Sequence, residues 1–324
     1  MISIKKYNDK LQYDWDDFIK KSKYGTIFHN QKFLSYHIEK QFDDFSLFFY
    51  KNKILVAVFP AAIVCSNNNK QLISHPGASF GGFVCKKNDF TLCFDIINAF
   101  EKYCKKNKIV SCKIIPTPSY YATNCDTLLD YVLTAKKYYI SERYISHIIY
   151  LNDNNPISYF NSRKKRYMKN KFINGSLCFQ KIDNVDSFYS ILLENKKKFN
   201  ALPTHSLEEI KKLLRLYPKE CNLLGTFKMG KLIGGVFVLQ TSTNSALLFY
   251  NAVNNNNEKN HIGLFQVYEC IKWCLNKKIQ VLDLGVSHLP SNKNPLDPKI
   301  SLIKFKEQCG AVGVMRSVFT KNII

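Results

Sequence analysis

The chain has 324 residues, 46% of them hydrophobic and 14% aromatic, which excludes the disordered class and is enough to fill about two cores. It carries 47 Lys and Arg against 25 Asp and Glu, and the net charge of +22 favours partners that bear phosphate. The longest apolar run, 54–65, contains Pro60 and is too short for a membrane span, and the acidic N-terminal stretch is unlike a signal peptide, so we predict a cytoplasmic protein.

Apolar periodicity and turn residues predict the elements of the first half. In chain order we expect two helices, a strand hairpin, a loop with glycines, a third helix capped by Asp89, and two strands. These segments are 15–21, 31–41, 45–65, 74–82, 90–104, 109–115 and 138–151. The polar segment 152–156, rich in turn-forming residues, predicts a boundary between a domain at 1–151 and a domain at 152–324.

The second half begins with a basic helix and a further helix, followed by a helix that opens with the capping box Ser206–Glu209. Three strands, a helix with one apolar face, a strand around Asp283, an amphipathic helix and a final strand complete the expected order. Apart from the capping-box helix and the final strand, the segments are 162–171, 185–199, 223–228, 232–240, 246–252, 264–274, 281–285 and 302–309.

The two halves contain matching segments in the same order. The matches are 53–59 with 231–237 and 102–109 with 272–279. They predict duplication of a module of hairpin, helix and strand, with chance matching in a Lys-rich chain as the alternative. Lys113 stands in the first copy where Asp283 stands in the second, so we place catalysis in the second copy.

The cysteines and histidines favour neither disulfides nor a metal site. Eleven cysteines are an odd number, no CxxC pair occurs, and many lie on apolar faces of expected elements, as reduced and packed thiols do. The seven histidines lack metal-ligand spacing with cysteines or carboxylates. The sequence therefore implies no metal.

Four strings and the order of elements in the second half resemble the tandem-GNAT acyltransferases related to the FemAB peptidyltransferases. The strings are Gly25–Asn30, Ser74–Gly82, Pro203–Glu209, and Phe305–Glu307 followed by Gly310 and Ala311. The resemblance implies an α/β (α+β) fold of two tandem GNAT-like domains, with mixed sheets flanked by helices and acyl-CoA bound in the second. It also implies transfer of an acyl or aminoacyl group to an amine.

Within this family the chain looks most like the N-acyltransferases of nucleotide-linked amino sugars, of the dTDP-Fuc3N type, which serve O-antigen and lipopolysaccharide synthesis. Acyl-CoA is then the co-substrate and a dTDP-linked 3-amino-3,6-dideoxyhexose the acceptor. A FemAB-type ligase that uses aminoacyl-tRNA is the alternative among enzymes, although the chain has no inserted charged heptad segment like that family's coiled-coil arm. A non-catalytic RNA-binding protein is the alternative of another class, and it ranks third because RNP-type strings are lacking.

A GNAT domain holds the CoA pyrophosphate on backbone amides at a helix N-terminus, where unpaired N–H groups and the helix dipole favour anions. The family signature [Q/R]-x-x-G-x-[G/A] falls on 260–265, and only its central Gly263 is retained. The resemblance therefore implies CoA binding by Gly263 and Leu264, with Lys304 and Lys306 as sources of phosphate charge. A small first-turn residue and a solvated lysine face are the alternative interpretations.

The basic helix carries Arg163 and Tyr167 on one face. The resemblance implies that both contact the diphosphate of the nucleotide sugar, as does Lys32, and a guanidinium suits this role because it binds phosphate in bidentate fashion. Three further residues are expected to line the acceptor cleft: His29, His75 and Ser79. The glycines at 77–82 form either a phosphate-binding nest or a turn that connects strands.

Acylation of an amine requires a neutral amine, a polarised carbonyl and a group that takes the proton. Asp283, late in a strand, and His205, at a helix entrance, are the candidates, and each has a structural role as its alternative. Backbone N–H groups from Tyr250 to Ala252 are expected to hold the oxyanion. No cysteine or serine stands in a nucleophile motif, so the sequence predicts direct transfer without a covalent enzyme intermediate.

Overall fold

The computed structural model describes residues 1–38, 40–66, 69–87, 89–122, 126–171, 177–198, 200–254, 261–288 and 296–324. The chain divides into two compact units, the first formed by 1–143 with 316–324 and the second by 144–315. The predicted boundary after residue 151 thus lies inside the second unit. The C-terminal residues belong to the first unit because they pair with one of its strands, Ile109–Ile114.

The first unit contains, in chain order, β1 (Ile2–Lys6), α1 (Gln12–Lys21), α2 (Gln31–Leu34), β2 (Asp43–Asp44), β3 (Leu47–Lys51), β4 (Ile54–Phe59), β5 (Ala62–Ser66), β6 (Asn69–Ser74), β7 (Val84–Cys85), α3 (Phe90–Lys106), β8 (Ile109–Ile114), α4 (Leu128–Ala135) and parts of β9 (Tyr139–Tyr150) and β15 (Val312–Asn322). One sheet has the order β1-β3-β4-β7. In a second, β2 pairs with β5, β5 with β6, β6 with β8 and β8 with β15. The apolar face of α3 packs into the core of this unit.

Two predictions for the first unit differ from the structure. The predicted helix 31–41 ends at Leu34, because the chain beyond it buries Tyr36 and turns His37 so that its Nε2 donates to the carbonyl of Gly77 at 2.8 Å. The predicted single hairpin at 45–65 is split between two hairpins, β3–β4 and β5–β6. Pro60 separates β4 from β5, since it has no N–H for a strand ladder. The predicted cap of α3 is confirmed, because Asp89 accepts the N–H of Leu92 at 2.8 Å.

The second unit contains α5 (Ser162–Lys171), β10 (Leu177–Lys181), α6 (Val185–Lys197), α7 (Leu207–Leu216), β11 (Cys221–Lys228), β12 (Lys231–Gln240), β13 (Ser245–Val253), α8 (Ile262–Asn276), β14 (Val281–Val286) and α9 (Ile300–Gln308). Its sheet has the order β10-β11-β12-β13-β14-β9, in which β13 and β14 are parallel and the other pairs antiparallel. The capping box of Ser206 with Glu209 is present at α7 as predicted.

The two faces of this sheet carry different helices. The apolar side of α8 packs with alternate strand residues, among them Val236, Leu248 and Leu282, in one core. Because strand side chains alternate between faces, Asp283, next to Leu282, points to the opposite face, where α6 packs on β13. Tyr250 lies on that face too, since it pairs with Phe237 and an extra residue of β13 separates it from Leu248. The candidate catalytic residues and the α8 helix therefore lie on opposite sides of the sheet.

The predicted module is present in both units. In the first unit the hairpin β3–β4, the helix α3 and the strand β8 occur in this order, and in the second β11–β12, α8 and β14 do so, with further strands between hairpin and helix. In the first unit the hairpin and β8 belong to different sheets, whereas in the second they share one. Both helices run into their strand through a lysine with positive φ, Lys108 at 57° and Lys278 at 58°. Two lysines in the same unusual conformation at equivalent places support a duplicated module rather than a chance match.

Three features of the described ranges bear on cofactors and location. No helix there is long and apolar enough to cross a membrane. The cysteines in those ranges are all free thiols, and most are buried. The same residues hold no cluster of three or more His, Cys, Asp and Glu side chains arranged for a metal ion.

Candidate functional site

The parallel strands of the second unit separate part of the way along their length. β13 and β14 pair from Ser245 with Val281 to Leu247 with Asp283, and beyond that point the described part of β14 offers β13 no partner, although β13 continues to Val253. We call the opening between 248–253 and 284–286 the β13–β14 cleft. Its unpaired strand edges present backbone N–H and C=O groups to a ligand.

The equivalent place in the first unit is closed. The parallel pair β6–β8 runs to the last residues of both strands, Ser74 with Ile114. Beyond them, the N–H of Ile115 donates to Ser74 Oγ at 2.9 Å and the N–H of Gly81 donates to the carbonyl of Ile115 at 2.8 Å. A strand edge that is already hydrogen-bonded has no groups left for a ligand, so the cleft distinguishes the second unit.

A β-bulge shapes the wall of the cleft. The register between β12 and β13 shifts from Phe237 with Tyr250 to Val238 with Leu248, which leaves Phe249 as the extra residue. A bulge bends a strand and re-aims the side chains beside it. The bend stands at the start of the segment that is predicted to hold the oxyanion, which runs from Tyr250 to Ala252.

Asp283 lies at the last position of β14 that pairs with β13, and it is fully buried. Its Oδ1 accepts the N–H of Gly285 at 2.6 Å. Gly285 has a φ of 76°, a left-handed conformation that suits glycine, and this turn brings its N–H back to the carboxylate. The carboxylate therefore stands where the two strands part, held by the backbone of its own strand.

Lys306 of α9 is buried beside this carboxylate. Its Nζ donates to the carbonyls of Gly285 and Val286 at 2.7 and 2.9 Å and to Ser287 Oγ at 3.1 Å. Burial lowers the pKa of Lys306 to about 8, against the opposing effect of Asp283. These contacts favour a role in holding the end of β14, whereas Lys304 on the same helix is exposed.

A hydrogen-bond chain continues from Lys306 to His147. Ser287 Oγ accepts from Lys306 and lies 2.7 Å from His147 Nδ1, so the hydroxyl proton points to the imidazole. Burial, and then the charge of Lys306, lower the pKa of His147. Neither Ser287 nor His147 belongs to a motif in the sequence, because the chain brings them together from positions 140 residues apart.

His205 is buried against Tyr250. The Oη of Tyr250 accepts the backbone N–H of His205 at 3.2 Å and lies 2.9 Å from its Nδ1. Burial raises the pKa of Tyr250 to about 12, and hydrogen bonds from Thr204 and His205 oppose the rise. Because the phenol oxygen already accepts these bonds, its proton points to Nδ1, and the imidazole carries its own proton on Nε2. His205 is thereby arranged as a hydrogen-bond donor.

The N-terminus of α8 lies beside the basic helix α5. His261 caps α8 in a left-handed conformation, with a φ of 55°, and its ring packs edge-on against Tyr167 with 4.6 Å between ring centres. Burial, and then the charges of Lys164 and Arg163, lower the pKa of His261. The structure thus brings Arg163 and Tyr167 to the same helix N-terminus as Gly263. Residue 260, the first of the signature, lies outside the described residues.

Gly263 and Leu264 occupy the first turn of α8, where Leu264 is buried. A Cβ at Gly263 would make only ordinary van der Waals contacts, the nearest with Asn251 Oδ1 at 3.6 Å, so a side chain can begin there without a clash. Asn251 Nδ2 donates to the carbonyl of Gly263 at 3.1 Å and ties β13 to the helix. The N–H of Leu264 donates to the carbonyl of His261 at 3.0 Å, so a phosphate here would depend on the preceding amide of Gly263, the helix dipole and the neighbouring cations.

Two residues proposed for the acceptor make contacts within the first unit. His29 is buried, its Nδ1 accepts the N–H of Thr26 at 3.1 Å, and its Nε2 lies 3.1 Å from the carbonyl of Gly81. Burial lowers the pKa of His29 to about 4. His75 is also buried and accepts the N–H of Gly77 at 3.1 Å, and burial lowers its pKa to about 3. Both imidazoles hold the backbone of the glycine loop.

The other two acceptor candidates of this unit are less enclosed. Lys32 is exposed on α2, and Ser79 uses its carbonyl to accept from Arg316 at 2.7 Å. The N–H groups of Gly77 and Gly81 both donate to acceptors inside the unit. These contacts support the interpretation of the loop as a connection between strands, because a phosphate-binding nest needs free N–H groups.

No family model matches the chain, and no curated protein matches it significantly. Solved structures are similar. FemX superposes with a TM-score of 0.75 at 10% identity, over 99% of this chain and 97% of FemX. A tandem GNAT protein from the clavulanic acid biosynthesis pathway superposes with a TM-score of 0.57 at 9% identity, over 100% and 99%. The L-PGS of Bacillus licheniformis superposes with a TM-score of 0.55 at 10% identity, over 96% and 91%.

These likenesses establish the fold. Each extends over nearly the whole of both chains, and the structures include a protein described as a tandem GNAT protein. The module repeated in the two units, and the mixed sheets flanked by helices, agree with this architecture. The chain therefore has a tandem-GNAT fold of mixed α/β class.

Proposed function

We propose that the chain is an N-acyltransferase of the GNAT type, which moves an acyl group from acyl-CoA to an amine in the β13–β14 cleft. The observation that carries the proposal is the separation of the two parallel strands after Leu247 and Asp283, in the second unit and not at the equivalent place in the first. The pantetheine arm of CoA contains two amides, which suit the free N–H and C=O groups of a strand edge.

The N-terminus of α8 would hold the pyrophosphate of the donor. The resemblance implies separate phosphate sites, with Gly263 for CoA and with Arg163 and Tyr167 for the acceptor. In the second unit these residues meet around His261. We therefore assign them to one site, in which the charge of α5 takes the place of the Gln or Arg of the signature, where this chain has Asn at position 260.

The reaction needs no group beyond the two substrates and the chain. The neutral amine attacks the thioester carbonyl, and the C–N bond forms as backbone N–H groups near Tyr250 stabilise the oxyanion. Collapse breaks the C–S bond and releases the CoA thiolate. The amine loses one proton to Asp283, and the Nε2–H of His205 is oriented as a donor. The proton then reaches the thiolate through solvent.

The acceptor is proposed from the resemblance to be a nucleotide-linked amino sugar, and the cytoplasmic location likewise stays a prediction. A FemAB-type transfer from aminoacyl-tRNA is the second candidate. It is favoured by the net charge of +22 and by the likeness to FemX over 99% of the chain. In that reaction the bond that breaks is an ester C–O bond rather than a thioester, while the attack by an amine is the same.

Calorimetric titration with acetyl-CoA tests the proposal. We expect one binding site per chain, and we expect Gly263→Asp to raise Kd about tenfold or more, because it would add a negative charge beside the phosphates at a position where a Cβ meets only ordinary contacts. Gly230→Asp is the matched control, since it adds the same charge at a tight turn with nothing within 4 Å. Two sites per chain, or equal effects of the two variants, would contradict the assignment.

The identity of the donor is decided by parallel titrations with aminoacyl-tRNA and uncharged tRNA. A preference for aminoacyl-tRNA over acetyl-CoA, with formation of an aminoacylated amine detected by mass spectrometry, would favour the FemAB-type reaction. Mass spectrometry of amino-sugar nucleotides incubated with acetyl-CoA and the protein tests the acceptor. An increase of one acetyl group in the sugar nucleotide is the expected result.

Arg163→Ala is expected to raise the KM for acyl-CoA about fivefold and to leave the KM of the acceptor unchanged. The effect is modest because Arg163 is exposed, and an exposed charge pair contributes about 1 kcal/mol. Arg166→Ala removes the same charge from an exposed position of the same helix and should have little effect. A rise in the acceptor KM alone would instead assign Arg163 to the acceptor diphosphate.

A further inference from the structure

Lys196 lies near the end of α6, with its ammonium over an aromatic ring. Its Nζ is 5.5 Å from the centre of the Tyr250 ring, and the side chain is half-buried. Within the ranges that the structure describes, no carboxylate is in ion-pair contact with this ammonium, and burial is the cause that lowers its pKa. The face of the Tyr250 ring attracts the ammonium, but the ring carries no net charge, so an anionic group of a ligand would stabilise this partly buried cation further.

The surroundings of Lys196 are aromatic. Phe237 stacks on Tyr250 at 6.3 Å, and Phe249 packs edge-on against Tyr250 at 4.9 Å and against His205 at 4.7 Å. The Tyr250 hydroxyl, the polar end of this cluster, is occupied by His205. Apolar surroundings weaken dielectric screening, so an anion placed here would be attracted to Lys196 more strongly than at the surface.

The position of this cluster connects it to the cleft. Tyr250 follows Leu247, the last residue of β13 that pairs with β14, by about 10 Å of strand, and it shares a face of the sheet with Asp283. We propose that Lys196 binds an anionic oxygen group, a carboxylate or a phosphate, of the acceptor whose amine approaches Asp283. This inference rests on the proposed acyl transfer, to which it adds an acidic group as the feature by which acceptors are selected.

Trace acetylation of the full-length protein with acetic anhydride, read by mass spectrometry, tests the site without any acyl transfer by the enzyme. The probes are N-acetylglycine, its uncharged amide and inorganic phosphate at equal ionic strength. We expect a charged probe to reduce the labelling of Lys196 about twofold or more and to leave the exposed Lys197 unchanged. Protection by N-acetylglycine alone identifies a carboxylate, and protection by phosphate alone a phosphate. Equal labelling of Lys196 in every arm would overturn the proposal.

Activity provides the second readout. Lys196→Met keeps the length of the side chain over Tyr250 and removes the charge, so the KM for an acidic acceptor should rise about tenfold relative to that for its uncharged amide. Lys196→Arg should preserve the preference, and Lys197→Met should not change it. An unchanged preference in Lys196→Met would also overturn the proposal. Absence of acyl transfer with every acceptor would contradict the proposed function instead. The labelling experiment would still decide whether Lys196 binds an anion, because it needs no acyl transfer by the enzyme.

Discussion

Asp283→Asn is expected to lower kcat for acyl transfer by about 10²–10⁴-fold while the fold stays intact. The amide keeps an oxygen that can accept the N–H of Gly285, so the turn at the end of β14 is retained, whereas the ability to take a proton is lost. Initial rates at varied acyl-CoA and amine give kcat, and circular dichroism checks the fold. For a ternary complex, the double-reciprocal lines should intersect rather than run parallel.

The control for this variant is Asp186→Asn. Asp186 is an exposed carboxylate of the same unit, paired with Lys211 at 3.2 Å, and its loss should change neither the rate nor the stability by much. Full turnover in both Asp283→Asn and His205→Ala, across the pH range, would assign proton removal to water or to the substrate. A stable acyl group on the protein after incubation with acyl-CoA alone would contradict direct transfer.

Gly310→Ala is expected to destabilise the second unit by about 2–5 kcal/mol, the largest stability effect that we predict. Gly310 has a φ of 88°, and a Cβ there would lie 2.2 Å from the carbonyl oxygen of Tyr159. Its N–H donates to Glu307 and that of Ala311 to Lys306, the pair of bonds that ends a helix in the Schellman motif. The methyl group would therefore push α9, which carries Lys306, away from its neighbours.

The comparison that isolates the clash is Gly230→Ala. Gly230 has a similar φ of 73° but nothing within 4 Å of the added Cβ, so backbone strain alone, about 1 kcal/mol, remains. Denaturant unfolding followed by fluorescence measures both variants. Equal losses in the free energy of unfolding of the two variants would show that the clash with Tyr159 does not contribute to the destabilisation. We also expect Gly310→Ala to lower acyl transfer at temperatures where the protein is still folded, through displacement of Lys306.

Local patterns of residue type predicted most of the elements. The apolar stripe of α8, the Asp89 cap of α3 and the capping box at α7 depend on residues three or four positions apart, and all are confirmed. The short strands β1 and β10 were not predicted. Each alternates weakly and owes its existence to a partner far along the chain, β3 for β1 and β11 for β10.

The residues of the candidate site fall into the same two groups, those that a local pattern marks and those that only tertiary contacts bring together. The sequence marks Asp283 through its place in the repeated module, and Gly263 through one surviving position of a motif. It contains no signal for the contact between His205 and Tyr250, which lie 45 residues apart, or for the burial of Lys306 against β14. Lys196 belongs to a run of lysines, a pattern typical of a solvent-exposed helix face. Its position over Tyr250 follows from the packing of α6 on β13.

The sequence by itself determined the two-fold module, the kinds of its elements and the strand on which a carboxylate stands, because these depend on periodicity and on caps within a few residues. Only the tertiary structure decided where β13 leaves β14, how a bulge at Phe249 turns the cleft wall, and which cations reach the N-terminus of α8. Such features arise from contacts between segments far apart in the chain, where the energy of packing and of backbone hydrogen bonds selects one register and one strand length among several that the local sequence allows.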